Sequence, residues 1–383
     1  MDRKLRLLLT FAILLGLGSL QACKPAAPEA QKEIKIGVIA PITGEISNVG
    51  QSTVNAAEMA VKEVNENGGL YVNGEKYQIV LVIEDNEDKE QSAVAAAQKL
   101  INQDGVVAIV GPQASRNAIP VSNIAENAKI PMISPWSTNP DTTSGKTYVF
   151  RVAFIDSFQG QVMARFTFEE FGGQKIAVLY DIASDYNKGI AEIYKEIVEN
   201  AGGQVVAFET YTTGEQDFTA QLARIKDSGA EVLFLPNYYN EVPLQAKQAR
   251  EMGITATIIG SDAWSGIAEE DLGQLEGSFF STHYAPDIAN DAAQRFIEAY
   301  QQTYEQIPDD VAALTYDAFG LLFQAIQLQG VDSESIRTGL AAIEAYTGVT
   351  GTMEYRGTGD PIKSAVIIKI EDGKFVFYKQ ANP

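Results

Sequence analysis

Cysteine occurs once in the 383 residues, at Cys23, so no disulfide can close within the chain. Histidine also occurs once, at His283. One histidine and one cysteine cannot assemble the nitrogen and sulfur ligands of a zinc site. A Ser-His-Asp arrangement would have to use His283, and no Gly-x-Ser-x-Gly elbow is present. His283, inside "FFSTHYAPD" near an expected crossover, reads as a structural residue. No Gly-x-Gly-x-x-Gly follows a strand-like run. "SGKT" (Ser144 to Thr147) imitates the end of a phosphate loop, but the position that needs a glycine holds Pro140. No EF-hand spacing supplies a calcium loop. Positive charge is scarce too: 29 basic against 50 acidic residues give a formal charge of −21. A nucleic-acid partner would need basic patches to displace counterions, so that class is excluded. The expectation is a chain with no enzymatic activity, no cofactor and no metal.

Arg3, Lys4 and Arg6 precede an apolar run from Leu7 to Leu20. A membrane span needs about 20 apolar residues, so this run matches the core of a secretory signal peptide. It ends "LGSLQACK", with small Ala22 directly before Cys23, the pattern of a bacterial lipoprotein processing site. Residues 1–22 are therefore expected to be a signal peptide and Cys23 the lipid-modified N-terminus. The Pro- and Ala-rich stretch to residue 33 reads as a tether. No later stretch reads as long and apolar enough to span a bilayer. The body should lie outside the cytoplasm, held to a membrane by its lipid. Without disulfides it must rely on core burial, and residues 23–383 suffice for two ordinary domains.

Strand-like and helical patterns alternate along that body. "IKIGVIA" is followed by a helical pattern with Val54, Ala57, Val61 and Val64 on one face. "YQIVLVIED", "VVAIVGP" and "IPMIS" are further strands with helices between them. After "YVFRVAFIDS" the alternation restarts with "KIAVLYD", "QVVAFETY", "EVLFLPN" and "TATIIGSD". Continuous apolar strands between amphipathic helices indicate parallel sheets covered on both faces. From Asp291 to Ala345 the pattern is mainly helical, and the rest reads as strands joined by Gly-Asp and Asp-Gly turns. Two βα series thus predict two lobes, with ligand bound beyond the carboxyl ends of their strands.

In order, "IGVIAPITGEISNVGQ", "GGLYVNGEKYQIVLVIEDNEDKEQSAVAAAQKLI", "VGPQASRNAIPVSNIAENAKIPMISPWSTNPDTT", "VFRVAFIDSFQG" and "GEQDFTAQLARIKDSGAEVLFLP" cover most of the chain. Together they resemble the branched-chain amino acid (leucine/isoleucine/valine-binding) family of periplasmic-type substrate-binding lipoproteins of ABC transporters. The resemblance implies the α/β type I periplasmic-binding-protein fold, two Rossmann-like lobes joined by a multi-strand hinge. It places the lobes at residues 34–154 with 285–347, and at 155–284 with 348–383. It also implies a monomer that closes on a free, apolar or branched-chain amino acid and hands it to ABC permease subunits. The same fold serves receptors for amides, urea and aromatic acids, and lipoproteins that sense without transport; these are the alternatives.

The family's pattern assigns site residues one position at a time. Ser115, and Trp136, Ser137 and Thr138 after the next strand, should hold the ligand's carboxylate and amine, with the Trp136 ring as a wall. Oriented neutral donors suit a desolvated carboxylate. From the other lobe, Tyr186 and Tyr238 should close over the ligand, with Tyr239 the competitor of Tyr238. Asp262 should pair with the ligand ammonium; its alternative role is an N-cap before "AEEDLG". Val49, in the loop after the first strand, is expected as a hydrophobic wall. Arg116 could serve as an anion clamp or lie between the lobes.

Overall fold

The computed structural model describes residues 32–172, 175–288 and 290–383. The expected signal peptide, Cys23 and nearly all of the tether lie outside the described residues.

The first lobe is built on a six-stranded sheet in the order β2-β3-β1-β4-β5-β6. These strands are β1 (Lys32–Ala40), β2 (Leu70–Val72), β3 (Glu75–Asp85), β4 (Ala108–Val110), β5 (Met132–Ser134) and β6 (Val149–Arg151). β1, β4, β5 and β6 run parallel, while β2 and β3 form an antiparallel hairpin. Burial explains the composition: β4 and β5 are buried at every position, so they carry continuous apolar runs rather than alternating ones.

The second lobe is built on seven strands, ordered β16-β15-β11-β10-β9-β7-β8. They are β7 (Lys175–Asp181), β8 (Gln204–Tyr211), β9 (Val232–Leu235), β10 (Thr257–Gly260), β11 (Phe279–Thr282), β15 (Ala365–Glu371) and β16 (Lys374–Ala381). β7 to β11 are parallel, and β15 and β16 add an antiparallel edge. β2 and β11 were not legible as strands: β2 is three residues long, and β11 is a single buried run of four.

The helices of the first lobe include α1 (Ser47–Glu66), α2 (Glu90–Lys99) and α3 (Ser115–Ala128). The second lobe contributes α4 (Asp156–Phe171) and α5 (Asp185–Asn200). The helix Asp310–Gln329 has the length and composition of a membrane span, contrary to the reading that no later stretch does. It is a core helix of the first lobe, with Leu314, Ala318, Phe319, Leu322 and Ile326 fully buried. A core helix hydrophobic all round looks the same in sequence as a lipid-facing one.

The chain passes between the two sheets three times. It crosses after β6, again after β11, and last before β15. A small antiparallel sheet of β12 (Ala345–Gly348), β13 (Gly351–Tyr355) and β14 (Pro361–Ile362) precedes the third crossing. The expected lobe boundary between residues 347 and 348 cuts the paired hairpin β12–β13, so the switch to the second sheet comes later, between Ile362 and Ala365.

Candidate functional site

In each sheet the strand order reverses at one point, and open α/β sheets bind ligands there, beyond the carboxyl ends of the strands. In the first lobe β3 lies on one side of β1 and β4 on the other; in the second, β8 and β9 flank β7. Ser115 follows β4 and opens α3. Trp136, Ser137 and Thr138 follow β5. Tyr186, in the first turn of α5, follows β7; Tyr238 follows β9; Asp262 follows β10. Residues far apart in sequence thus meet in one cleft. Gln113, Ala114, Ser115, Trp136 and Ser137 line its first-lobe side and Tyr186, Tyr238 and Asp262 the other, around a narrow cavity of about 10 Å³.

The first-lobe side offers hydrogen-bond donors. The Ser115 hydroxyl lies 2.9 Å from that of Ser137, which lies 2.7 Å from Thr142 Oγ1. No side chain caps the start of α3, where Ala114 occupies the cap position. The first backbone N–H groups of a helix have no partner within it, and its dipole favours an anion there. Sequence reasoning placed Ser115 in a loop, and its place at a helix start adds this second source of donors. Arg151, fully buried at the end of β6, donates to the carbonyls of Ser137 (2.7 Å) and Asn139 (2.9 Å) and holds that loop in place.

The second-lobe side offers a carboxylate. Asp262 is 1% exposed; its Oδ1 accepts from Tyr186 at 2.6 Å and from the Gln159 amide at 2.7 Å. The Tyr186 oxygen also lies 2.7 Å from Ser261 Oγ. Asp262 Oδ2 faces His283 Nε2 at 3.4 Å. Burial pulls the His283 imidazole down to about 4, so it is neutral at pH 7. Asp262 makes no side-chain cap; it opens a short 3-10 turn through Trp264, and "AEEDLG" lies in a separate turn behind Ala268. Trp264 fixes that turn. Its indole N–H donates to the Leu235 carbonyl at 3.0 Å, and the ring packs so flat on Gly260 that a Cβ there would sit 2.0 Å from it.

Aromatic rings wall the cavity. Tyr238 lies 6.0 Å from Trp136 and 5.3 Å from Tyr186 between ring centroids. Trp136 Nε1 donates to Asp310 at 3.3 Å, and the same carboxylate accepts from Thr282 of the second lobe at 3.1 Å. Of the tyrosine pair, Tyr238 faces the cavity. Tyr239 instead packs over Gly266 and reaches the backbone of Asn48 and Val49 across the cleft.

Two expected positions fall elsewhere. Val49 does not line the cavity: it sits in the first turn of α1, not in a loop, because the helix begins at Ser47, well before the legible stripe at Val54. Thr138 is also outside the lining. Its hydroxyl neighbours Asp156, whose backbone N–H donates to the Thr138 carbonyl at 2.9 Å. Arg116 clamps no anion in the cavity. It pairs with Asp88 and stacks 5.0 Å over Tyr238, joining the lobes.

Sequence reasoning missed Asp156, Gln159 and Gln113. Burial pushes Asp156 up to about 8, with the nearby Asp262 charge adding to the rise and the Thr138 hydroxyl opposing it. Asp156 therefore holds its proton at pH 7. Gln113 Oε1 is buried without a partner beside the cavity while its amide donates to Thr53. Only the "ID" and "FQ" of "VAFIDSFQG" lay in the sequence to find Asp156 and Gln159, with no spacing that marks them.

Comparison with known proteins agrees with this architecture. Residues 33–374 match the periplasmic binding protein family. The Leu/Ile/Val-binding protein homolog 3 of Brucella melitensis is 30% identical over 98% of this chain and 99% of its own length. A leucine-, isoleucine-, valine-, threonine- and alanine-binding protein of Pseudomonas aeruginosa is 31% identical over 89% of this chain and 83% of its own. Among solved structures, the leucine-binding protein LivK of Thermotoga maritima superposes with a TM-score of 0.85 at 34% identity, over 91% of this chain and 99% of that one. The LivJ substrate-binding protein of Streptococcus pneumoniae, solved with isoleucine, gives 0.84 at 32% identity over 92% and 100%. With two switch-point loops facing each other across a cleft and a family match along nearly its whole length, the chain belongs to the periplasmic binding proteins, in the group that holds the Leu/Ile/Val-binding proteins.

Proposed function

We propose that the cleft captures a free α-amino acid with an apolar, branched side chain and presents it to the permease of an ABC importer. The observation that carries this reading is the polarity of the cleft. Donors from Ser115, Ser137 and the start of α3 line one side, and the Asp262 carboxylate lines the other. A zwitterion matches both at once: its carboxylate takes the donors and its ammonium takes Asp262. Trp136, Tyr186 and Tyr238 leave the side chain an aromatic enclosure. The nearby Arg116 is committed to Asp88, so the reading places no second ligand charge there. Thr138 supports the amine end through Asp156, and Val49 supports the wall through Tyr239.

The aromatic enclosure also suits an aromatic acid. That ligand would leave Asp262 facing no cation, and a buried unpaired charge is costly. Closure would bring the lobes, moving as rigid bodies about the three crossings, over the ligand. Screening the untagged chain by thermal melting against the twenty amino acids tests the reading. Leucine, isoleucine or valine should raise the melt most, since a ligand at 100 times its Kd adds about 2.7 kcal/mol. Small-angle scattering should show a more compact particle with the best ligand. A melt unmoved by every amino acid, or moved only by benzoate-like acids, overturns the proposal.

Export and lipid attachment at Cys23 belong to the same reading, supported by "LGSLQAC" after an apolar run. Cys23→Ala should move the protein from the membrane fraction to the soluble one. Unchanged membrane association of that variant would refute the anchor.

A further inference from the structure

Gln113 lines the cleft cavity just ahead of α3, and its residue is fully buried. Hydrogen-bond chemistry fixes which way its amide lies. Thr53 donates its hydroxyl hydrogen to the Val49 carbonyl at 2.7 Å, so toward Gln113 it can only accept. The Gln113 nitrogen therefore faces Thr53 Oγ1 at 2.8 Å, with Thr315 Oγ1 next at 3.4 Å. These threonines lie on α1 and on the core helix Asp310–Gln329. The carbonyl oxygen takes the other arm of the amide and is buried with no partner in the protein. Buried polar atoms are nearly always paired, and the cavity is the space that Gln113 borders. In so narrow a cavity the facing walls cover each other. An acceptor there is buried, yet a ligand that enters before the lobes close can reach it.

An α-carbon carries three groups besides hydrogen, and the cavity wall has a sector for each. Ser115, Ser137 and the start of α3 take the carboxylate, and Asp262 takes the ammonium. The remaining wall is Gln113, Ala114, Trp136 and Tyr238, which is left to the side chain. It combines apolar surface with one neutral, unpaired acceptor. A charged side chain would be buried there without an opposite charge, which is costly. A short branched side chain with a single hydroxyl fits both features. Threonine is that side chain: it has the shape of valine, with a hydroxyl in place of one methyl group.

We propose that Gln113 sets the specificity of the cleft by accepting a hydrogen bond from the ligand's side-chain hydroxyl, so that threonine is held as well as valine. In a wholly apolar wall the threonine hydroxyl would lose its water partners and gain nothing. With Gln113 present, it is valine that leaves a buried carbonyl unpaired. The inference rests on the amino-acid reading of the cleft and narrows it to the side-chain chemistry that the first lobe admits.

Calorimetry with valine and threonine, on the untagged parent and on Gln113→Met, tests this. In the parent, threonine should bind within about threefold of valine, since the carbonyl replaces the hydroxyl's lost water. Gln113→Met keeps an unbranched side chain of similar length and removes the acceptor. There the preference for threonine relative to valine should fall about tenfold, whatever happens to valine itself. The ratio is taken within one protein, so a change in folding or closure common to both ligands cancels. Threonine binding more than about tenfold weaker than valine in the parent overturns the role of Gln113. An unchanged ratio in Gln113→Met also overturns it, and an equal loss of both ligands moves the carbonyl's partner to the ammonium. Should Gln113→Met fail to fold, Gln113→Leu repeats the comparison, and the parent's ratio stands by itself. Valine binding without threonine removes this inference alone, whereas failure of every amino acid to bind removes the amino-acid reading and this inference with it.

Discussion

Replacing Asp262 with alanine is expected to cut amino-acid affinity by thirty-fold to several thousand-fold. Truncating one partner of a buried charge pair costs roughly 2–5 kcal/mol, much of it from leaving the other charge unpaired. Each 1.4 kcal/mol is about a factor of ten. Asp262 is 1% exposed, and Asp156 beside it stays protonated at pH 7, so no second carboxylate takes over. The alanine variant also strips the acceptor from Gln159 and Tyr186. Asp262→Asn separates the two effects, because it keeps an oxygen for those donors and removes only the charge. Calorimetry should find both variants severely weakened, while the ligand-free melt of Asp262→Asn stays near that of the parent. Full affinity in Asp262→Asn would remove the ammonium partner from the proposal.

The second large effect concerns Arg151. The side chain is completely buried and pairs with Asp360 at 2.6 Å. It also donates to Ser137 O, Asn139 O and Thr143 Oγ1 (2.7 Å). Arg151→Met fills much of the same volume but leaves a carboxylate and two carbonyls without their donor. Breaking a buried pair costs about 3–5 kcal/mol; Asp360 keeps 27% of its side chain in water, which favours the low end. Urea denaturation should therefore show a midpoint lowered by about 3 kcal/mol in stability at unchanged slope. Because Arg151 holds the loop that carries Ser137, amino-acid affinity should fall with it. Adding Asp360→Asn should restore part of the stability, as the stranded charge is then gone. A loss below about 1 kcal/mol for Arg151→Met alone would show that water or the backbone takes over these bonds.

Most of the strands and helices, β2 and β11 excepted, the two lobes and the strand-end segments that carry Ser115, Trp136, Ser137, Tyr186, Tyr238 and Asp262 were legible in the amino-acid sequence. Apolar periodicity reports burial over a few neighbouring residues, and a parallel strand buried on both faces writes an unbroken apolar run. The strand ends then mark the binding loops without further information. What the periodicity could not carry is which groups from distant segments share a few cubic ångströms. Val49 and Thr138 lie on the expected elements but outside the cavity, since one residue of helix start or loop path turns a side chain elsewhere. Asp156, Gln159 and His283 carry no spacing that distinguishes them from surface residues, yet they surround Asp262. The protonation of Asp156 and the neutrality of His283 come from desolvation and from charges brought close by folding, which are properties of the packed interior. The helix Asp310–Gln329 makes the same point at larger scale. Its composition alone cannot separate lipid from a protein core, and only the sheet and helices packed around it decide.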